Sequence, residues 1–150
     1  MKQILTSVAL SISLMLTGLA SANAQDLTTL TSLASQGNIK AQYQLAQKHE
    51  LGQGTPKDVD KADYWYKRAA LNNDLVSQSF LAFKYQDGAN VKIDLIEAYV
   101  WHSMAAKNTS DIAHEDLRLA SEKQLEQLKL TMSKDDRKLA LNRLDKYLAR

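Results

Sequence analysis

The sequence predicts an all-α fold, a small solenoid of stacked helical hairpins, and three observations carry that expectation. Ala41–Ala70 slides onto Ser77–Ala106 without a gap, 36 residues on, and 10 of the 30 positions are identical, among them Leu45/Leu81, Gly52/Gly88, Asp58/Asp94 and Ala62/Ala98. Both tryptophans of the chain, Trp65 and Trp101, fall in register. No stretch reads convincingly as a strand. A period between about 20 and 50 residues marks a stacked-repeat architecture, in which each unit buries its apolar face only against its neighbours.

The first 24 residues are a separate message. Lys2 supplies a positive start, Ile4 to Ala20 an apolar run diluted with Ser and Thr, and Ala22-Asn23-Ala24 a small-x-small end. That pattern predicts a secretory signal peptide cleaved after Ala24. Read as an uncleaved anchor, the uncharged stretch Gln3 to Gln25 just reaches the length of a bilayer span. The polar residues in the run and its small-residue end favour cleavage. With no cysteine after the run, a lipid-anchored precursor is not expected. The expectation is a mature chain, one repeat domain over residues 25–150, in a bacterial periplasm or outside the cell, with no stable membrane insertion after cleavage.

Asp26 to Ala34 then reads as the second half of a missing repeat, with Ala34 on the Ala70 position, Leu30 on Tyr66, and Thr29 where the repeats carry tryptophan. Its Thr and Ser content suits an N-terminal cap, because a solenoid end meets water. The first repeat spans about 35–70 and the second about 71–106. Gly37-Asn38 is a turn, and a helix follows from Ile39 to Leu51 with Ala41, Leu45, Ala46, His49 and Gly52 as its inward stripe. Small residues on that stripe let two helices approach closely. Gly52 stops the helix, Pro56 prevents continuation, and Asp58 is an N-cap for a helix to about Leu71 through Ala62, Trp65 and Ala69. The second copy predicts a helix from Leu75 to Gln86 with Leu81, Ala82, Tyr85 and Gly88 inward, then one from the Asp94 cap to Lys107 through Ala98, Trp101 and Ala105. After Asn108-Thr109-Ser110 the period stops. Asp111 to Thr131 reads as one long helix with Leu117, Ala120, Leu125 and Leu128 apolar. Ser133 starts a last helix whose apolar side is Leu141, Leu144 and Leu148. These capping helices, within 111–150, are expected to close the open end.

Composition narrows the function classes. Charged residues make up 24% of the chain and hydrophobic ones 45%, which is ordinary for a globular protein. The 19 basic and 17 acidic residues are interspersed and leave a net charge of +2, so no strong field recruits nucleic acid or an anionic membrane. Without cysteine, the core holds by packing alone.

The segment from Gln36 to Ala70 resembles one unit of the Sel1-like repeat family, relatives of the tetratricopeptide repeats. The resemblance rests on Gln36-Gly37-Asn38, Ala41, Leu45-Ala46, Gly52-x-Gly54, Asp58, Lys61-Ala62, Trp65-Tyr66 and Ala69-Ala70. The second unit, with Glu97 to Ala106, is similar to a terminal unit, although Asn90 replaces the second loop glycine and Lys92 the proline. His49 stands where the family usually has an aromatic residue. The tail after the run Leu130 to Asp136 is similar to the family's closing helix. The resemblance implies a right-handed alpha-alpha superhelix that binds other proteins in adaptor, regulatory or assembly roles; a fold alone does not fix a function.

No chemistry is read from the side chains: no catalytic residue, no metal ligand set and no cofactor. His49 lies on a core stripe, where a packed or hydrogen-bonded histidine is the plain reading. His102 follows Trp101 on a helix whose other face packs, so it is expected to be exposed. His114-Glu115-Asp116 points in different directions on a helix and lacks the second histidine one turn on of the zincin pattern, and the three or four converging ligands of a zinc site are not visible. Asp135-Asp136 is a helix-start pair that suits the macrodipole. Aromatic residues are taken up by repeat packing, which leaves no base-stacking platform.

Function is therefore expected on a surface. If, as in tetratricopeptide-type solenoids, the first helix of each pair lines the concave side, the exposed face of the first unit carries Lys40, Tyr43, Gln47 and Glu50. The counterparts in the second unit are Val76, Ser79, Phe83 and Gln86. Tyr43 and Phe83 stand out, since binding anchors are enriched in aromatics; packing against the neighbouring helix is the competing reading. Three functions stay open: an adaptor or regulator docking another envelope protein, an immunity protein neutralising a toxin, and a cell-wall hydrolase, which the lack of a convergent polar cluster disfavours.

Overall fold

The computed structural model describes residues 26–149, and the leader expected at residues 1–24 lies outside the described residues. Every described element is helical. α1 (residues 26–35) is followed by α2 (Ile39–Leu51), α3 (Val59–Leu71), α4 (Leu75–Asp87) and α5 (Leu95–Lys107), then by a single 3-10 turn at Ile112–His114, α6 (Glu115–Thr131) and α7 (Lys134–Leu148). No strand occurs among the described residues. The chain forms two compact units that divide inside α3, between Ala62 and Asp63.

In the first unit the turns do what their residues dictate. Gly37 takes the left-handed backbone, φ +93°, that ends α1. Asn38 then caps α2, its side chain accepting from the Ala41 amide at 2.9 Å. Gln42, buried, donates from Nε2 to the Ala34 carbonyl at 3.0 Å, which meets one of the open carbonyls at the end of α1. Leu30 and Ala34 are the buried positions of α1, as its offset onto Tyr66 and Ala70 implies. Of the predicted α2 stripe, Ala41, Leu45, Ala46 and His49 are buried, whereas Gly52 is exposed, because it is the left-handed residue that terminates the helix. The Asp58 amide donates to the His49 carbonyl at 2.8 Å, and the Asp58 carboxylate accepts from the Lys61 amide at 3.0 Å to start α3.

The second unit repeats these devices 36 residues on. Asn73 takes the left-handed role of Gly37, Gly88 that of Gly52 and Asn90 that of Gly54, all at positive φ. Asp74 caps α4 and Asp94 caps α5, as Asn38 and Asp58 do upstream. The Asp94 amide donates to the Tyr85 carbonyl at 3.0 Å, matching Asp58 and His49. Trp65 and Trp101 are both buried, as are Tyr66 and Ala69; Tyr64, beside Trp65, is exposed. Tyr66 carries α3 onto α4 through Phe80, with ring centroids 4.3 Å apart.

α5 is the centre of this unit, packed against α4, α6 and α7. Ala98, Tyr99 and Val100 form a core with Leu128 and Met132 from the end of α6 and Ala140 and Leu144 from α7. The closing helices depart from the sequence reading in three ways. The stretch after Asp111 is a 3-10 turn, and the α-helix begins only at Glu115. On α6 the fully buried positions are Ser121 and Leu128, with Leu117, Ala120 and Leu125 half-buried. On α7 Leu141 and Leu148 are exposed, because Ala140, Leu144 and Tyr147 form the face that meets α5.

Candidate protein-docking faces

In the first unit the predicted face of α2 is present as a row. Lys40 is exposed, while Tyr43, Gln47 and Glu50 are half-buried. Gln47 donates from Nε2 to the Tyr43 hydroxyl at 2.9 Å, which orients the ring.

In the second unit the corresponding row does not lie open along its whole length. Ser79 is buried, its hydroxyl 3.4 Å from that of Ser121 on α6. Gln86 donates from Nε2 to Gln124 Oε1 of α6 at 3.1 Å and pairs through Oε1 with His102 Nε2 at 2.9 Å. These two residues hold α6 in place and are not free for a partner. Val76 and Phe83 remain half-buried on the open side. With Phe80, Ala89 and Leu117 they line a groove of about 330 Å³ between α4 and α6. Its polar lining residues are Ser79 and Lys84, both buried, the latter held by Asp63 at 2.7 Å, and exposed Asp87.

His102 packs edge-on against Phe83, ring centroids 4.9 Å apart. It is fully buried, contrary to the exposed position expected of it, because α5 is covered on more than one side and has no free face there. Burial pushes its pKa down to about 4, so the ring is neutral at physiological pH, and its Nδ1 has no hydrogen-bond partner among the described residues. His49 is also buried, and burial, aided by the Lys61 charge, lowers its pKa.

Two polar clusters link helices of this unit, one between α3 and α4 and one between α5 and α7. Asp63 accepts from Lys84 Nζ at 2.7 Å and from the Tyr85 hydroxyl at 2.6 Å. Burial works against ionising Asp63, but the Lys84 and Tyr85 hydrogen bonds prevail and hold its carboxyl below the usual range. Burial and the Asp63 bond both push the Tyr85 phenol up. Glu97, buried on α5, accepts from Trp101 Nε1 at 2.9 Å, from the Tyr147 hydroxyl at 2.8 Å and from Arg143 Nη1 at 2.7 Å. Nothing in the sequence period announced this second cluster, since Arg143 and Tyr147 lie beyond it. Among the described residues no group of three or more His, Cys, Asp or Glu side chains is placed to hold a metal ion, and no helix is long and apolar enough to cross a membrane.

The comparisons fit this geometry. The Sel1 repeat family model matches residues 39–74 and 75–110, two tandem units of one length that begin at α2 and at α4. The chain carries two Sel1 repeats. Sel1 repeats mediate protein–protein interaction and form non-catalytic scaffolds. One solved structure of similar fold is c5321, a protective antigen present in uropathogenic Escherichia coli strains and displaying an SLR fold. It superposes with a TM-score of 0.60 at 23% identity, over 82% of this chain and 25% of that one. A second is a Sel1 repeat protein from Oxalobacter formigenes, with a TM-score of 0.52 at 27% identity, over 61% of this chain and 37% of that one. Both are much longer than this chain, and at its identity c5321 shows the fold alone. Among curated proteins no match is found. The two Sel1 repeats and their closing helices thus place the chain in the alpha-alpha superhelix class.

Proposed function

We propose that this Sel1-repeat protein is a secreted or periplasmic adaptor or regulator that docks another envelope protein and does no chemistry of its own. The observation that carries the reading is the α4–α6 groove, in which Val76, Phe80, Phe83 and Leu117 present apolar surface beside a face otherwise closed by polar bonds. Apolar surface lined with aromatics and rimmed by polar groups is the usual composition of a binding anchor. Tyr43 and Lys40 of α2 offer a second place for the partner to touch. The signal-like leader with its Ala-x-Ala end supports the location.

The test is capture from envelope extract by the Gln25–Arg150 chain, with the double variant Tyr43→Ala and Phe83→Ala as control. Loss of a specific captured protein, with helicity by circular dichroism unchanged, is expected. Capture that is identical for both chains would remove these residues from the site. The location is checked by the N-terminal sequence of the protein recovered from a periplasmic fraction, which should begin at Gln25.

A further inference from the structure

A second opening lies away from the apolar groove, where α7 meets the start of α5. It encloses about 420 Å³ and is lined by the cations Lys67, Arg143 and Lys146 and the carboxylates Asp94 and Glu97. Three cations face two carboxylates, and both carboxylates are already taken up as acceptors. Glu97 accepts three donors, from Trp101, Tyr147 and Arg143. Asp94 accepts from the Glu97 amide at 2.9 Å as the α5 cap and meets Arg143 only at 3.5 Å. Lys67 leans toward Asp63 at 3.4 Å and lies over the Tyr85 ring, 5.1 Å from its centroid.

The donors, by contrast, are in excess. The side chain of Lys146, exposed on α7, makes no hydrogen bond or ion pair among the described residues, and neither does that of Asn142 one turn before it. Arg143 bonds through Nη1 alone, which leaves further N–H groups of its guanidinium open. Its hydrogen bond to Glu97 raises its pKa further, so it stays a cation throughout. The Glu97 carboxylate fixes the guanidinium from behind, and Leu139 and the Tyr147 ring add apolar wall at the mouth. An anchored guanidinium, a free ammonium and a free amide around one opening form a receptor for a carboxylate carried on an apolar stem.

We propose that this cleft seats an acidic side chain of a partner protein, its carboxylate between Arg143 and Lys146 and its methylenes against Tyr147 and Leu139. The assignment rests on the protein-docking reading and adds to it a second contact of defined chemistry.

The probe is the peptide acetyl-Gly-Leu-Glu-Gly-amide, titrated into the Gln25–Arg150 chain. The readout is the NMR resonance of the Trp101 indole N–H, which is bonded to Glu97, with the Trp65 indole as internal reference. The acidic peptide is expected to move the Trp101 resonance saturably, and raising salt from about 50 to 500 mM should weaken it. Its glutamine counterpart should not move it. Lys146→Gln, on the exposed rim, should weaken the acidic peptide about tenfold, as loss of a charge-assisted bond does. Arg143→Gln should do at least as much. Equal responses to the two peptides, no response to either, or an unchanged affinity in Lys146→Gln would overturn the proposal. A peptide ending in a free carboxylate that binds while the glutamate peptide does not would overturn it as well, in favour of a chain terminus. The two readings fail separately. Peptide binding that persists when envelope extract yields no partner leaves the cleft standing and removes the adaptor. A partner lost with Phe83→Ala yet indifferent to Lys146→Gln, with no peptide response, does the reverse.

Discussion

Gln78 repeats, 36 residues on, the bond that Gln42 makes: each donates from Nε2 to the carbonyl eight residues before it, Ala70 at 2.9 Å and Ala34 at 3.0 Å. The pair explains why a glutamine occupies a core position in both repeats, for each closes the open end of the preceding helix from inside. Gln78 also accepts from Asn108 Nδ2 at 3.0 Å, and Asn108 in turn bonds the Asn73 carbonyl. Gln78→Ala therefore takes the second donor from the Ala70 carbonyl, which keeps the Asn73 amide at 3.1 Å, and takes from Asn108 Nδ2 its side-chain acceptor, loosening the turn that follows α5. Two hydrogen bonds are lost while each former partner keeps another, so the cost is about 1 kcal/mol per bond. The check is a lower urea midpoint with an unchanged slope.

The turn after α4 makes a second prediction. Asn90 sits at φ +60° where Gly54 sits at φ +73°, so the asparagine is the residue that tolerates the backbone the glycine allows freely. Asn90→Gly should change stability by no more than about 0.5 kcal/mol, whereas Asn90→Ala should cost about 1 kcal/mol. Gly88 is less forgiving. At φ +75°, a Cβ there would stand 2.8 Å from Ile93 Cγ1 and 3.3 Å from the Val91 carbonyl oxygen. Gly88→Ala should therefore be the most damaging of the three in a denaturation series, since it combines strain with a clash.

Acid should weaken the α4–α6 seam through His102. The unfolded chain takes up the proton near the ordinary value of 6.5, whereas burial holds the folded ring to about 4. Between those values the unfolded state binds more protons, so stability rises with pH there and is complete only above about 6.5. The loss on going down through the window is of order 3 kcal/mol, from about 1.4 kcal/mol for each tenfold change in proton affinity. The groups facing the ring are Phe83 and Gln86, neither charged, so no carboxylate compensates the new cation. His49 adds a slope of the same sign. His102→Gln should flatten most of the pH dependence of the thermal midpoint between pH 4 and 6.5, and an unchanged slope in that variant would place the titration elsewhere.

Much of this fold was written locally. Asn38, Gly52, Asp58, Asp94 and Ser133 end or begin helices through bonds within a few residues of themselves, which is why the limits of α2, α3 and α5 followed from residue types. The twofold template carried the rest as far as Lys107. Beyond it, burial depends on which face of an unrepeated helix meets α5, and spacing alone does not choose. Leu141 and Leu148 are as periodic as Leu144, yet the side of α7 that docks carries Ala140 and Tyr147. His102 was misplaced for the same reason: a helix covered by three others has little outward face. The pairing of Ser79 with Ser121 left one faint trace, two small residues where helices cross closely. The apolar groove survives because α6 covers α4 at Ser79 and Gln86 and leaves Val76 and Phe83 uncovered.

Glu97 offers the most direct test of how the closing helix is held. Three donors converge on its carboxylate, two from α7 and one from Trp101 on its own helix. Glu97→Ala removes the acceptor from all three, but their fates differ. Arg143 is about a third exposed and can turn to water, so little of the cost resides there. Trp101 is fully buried, and its indole N–H would lose its partner in the core, at roughly 1–3 kcal/mol. Glu97→Gln keeps an acceptor oxygen for the indole and the phenol while giving up the ion pair. The alanine variant should therefore be clearly less stable than the glutamine one in urea, with α7 amides losing hydrogen-exchange protection before those of α4. Equal destabilisation of the two variants would mean that the ion pair with Arg143, and not the indole bond, keeps α7 on α5.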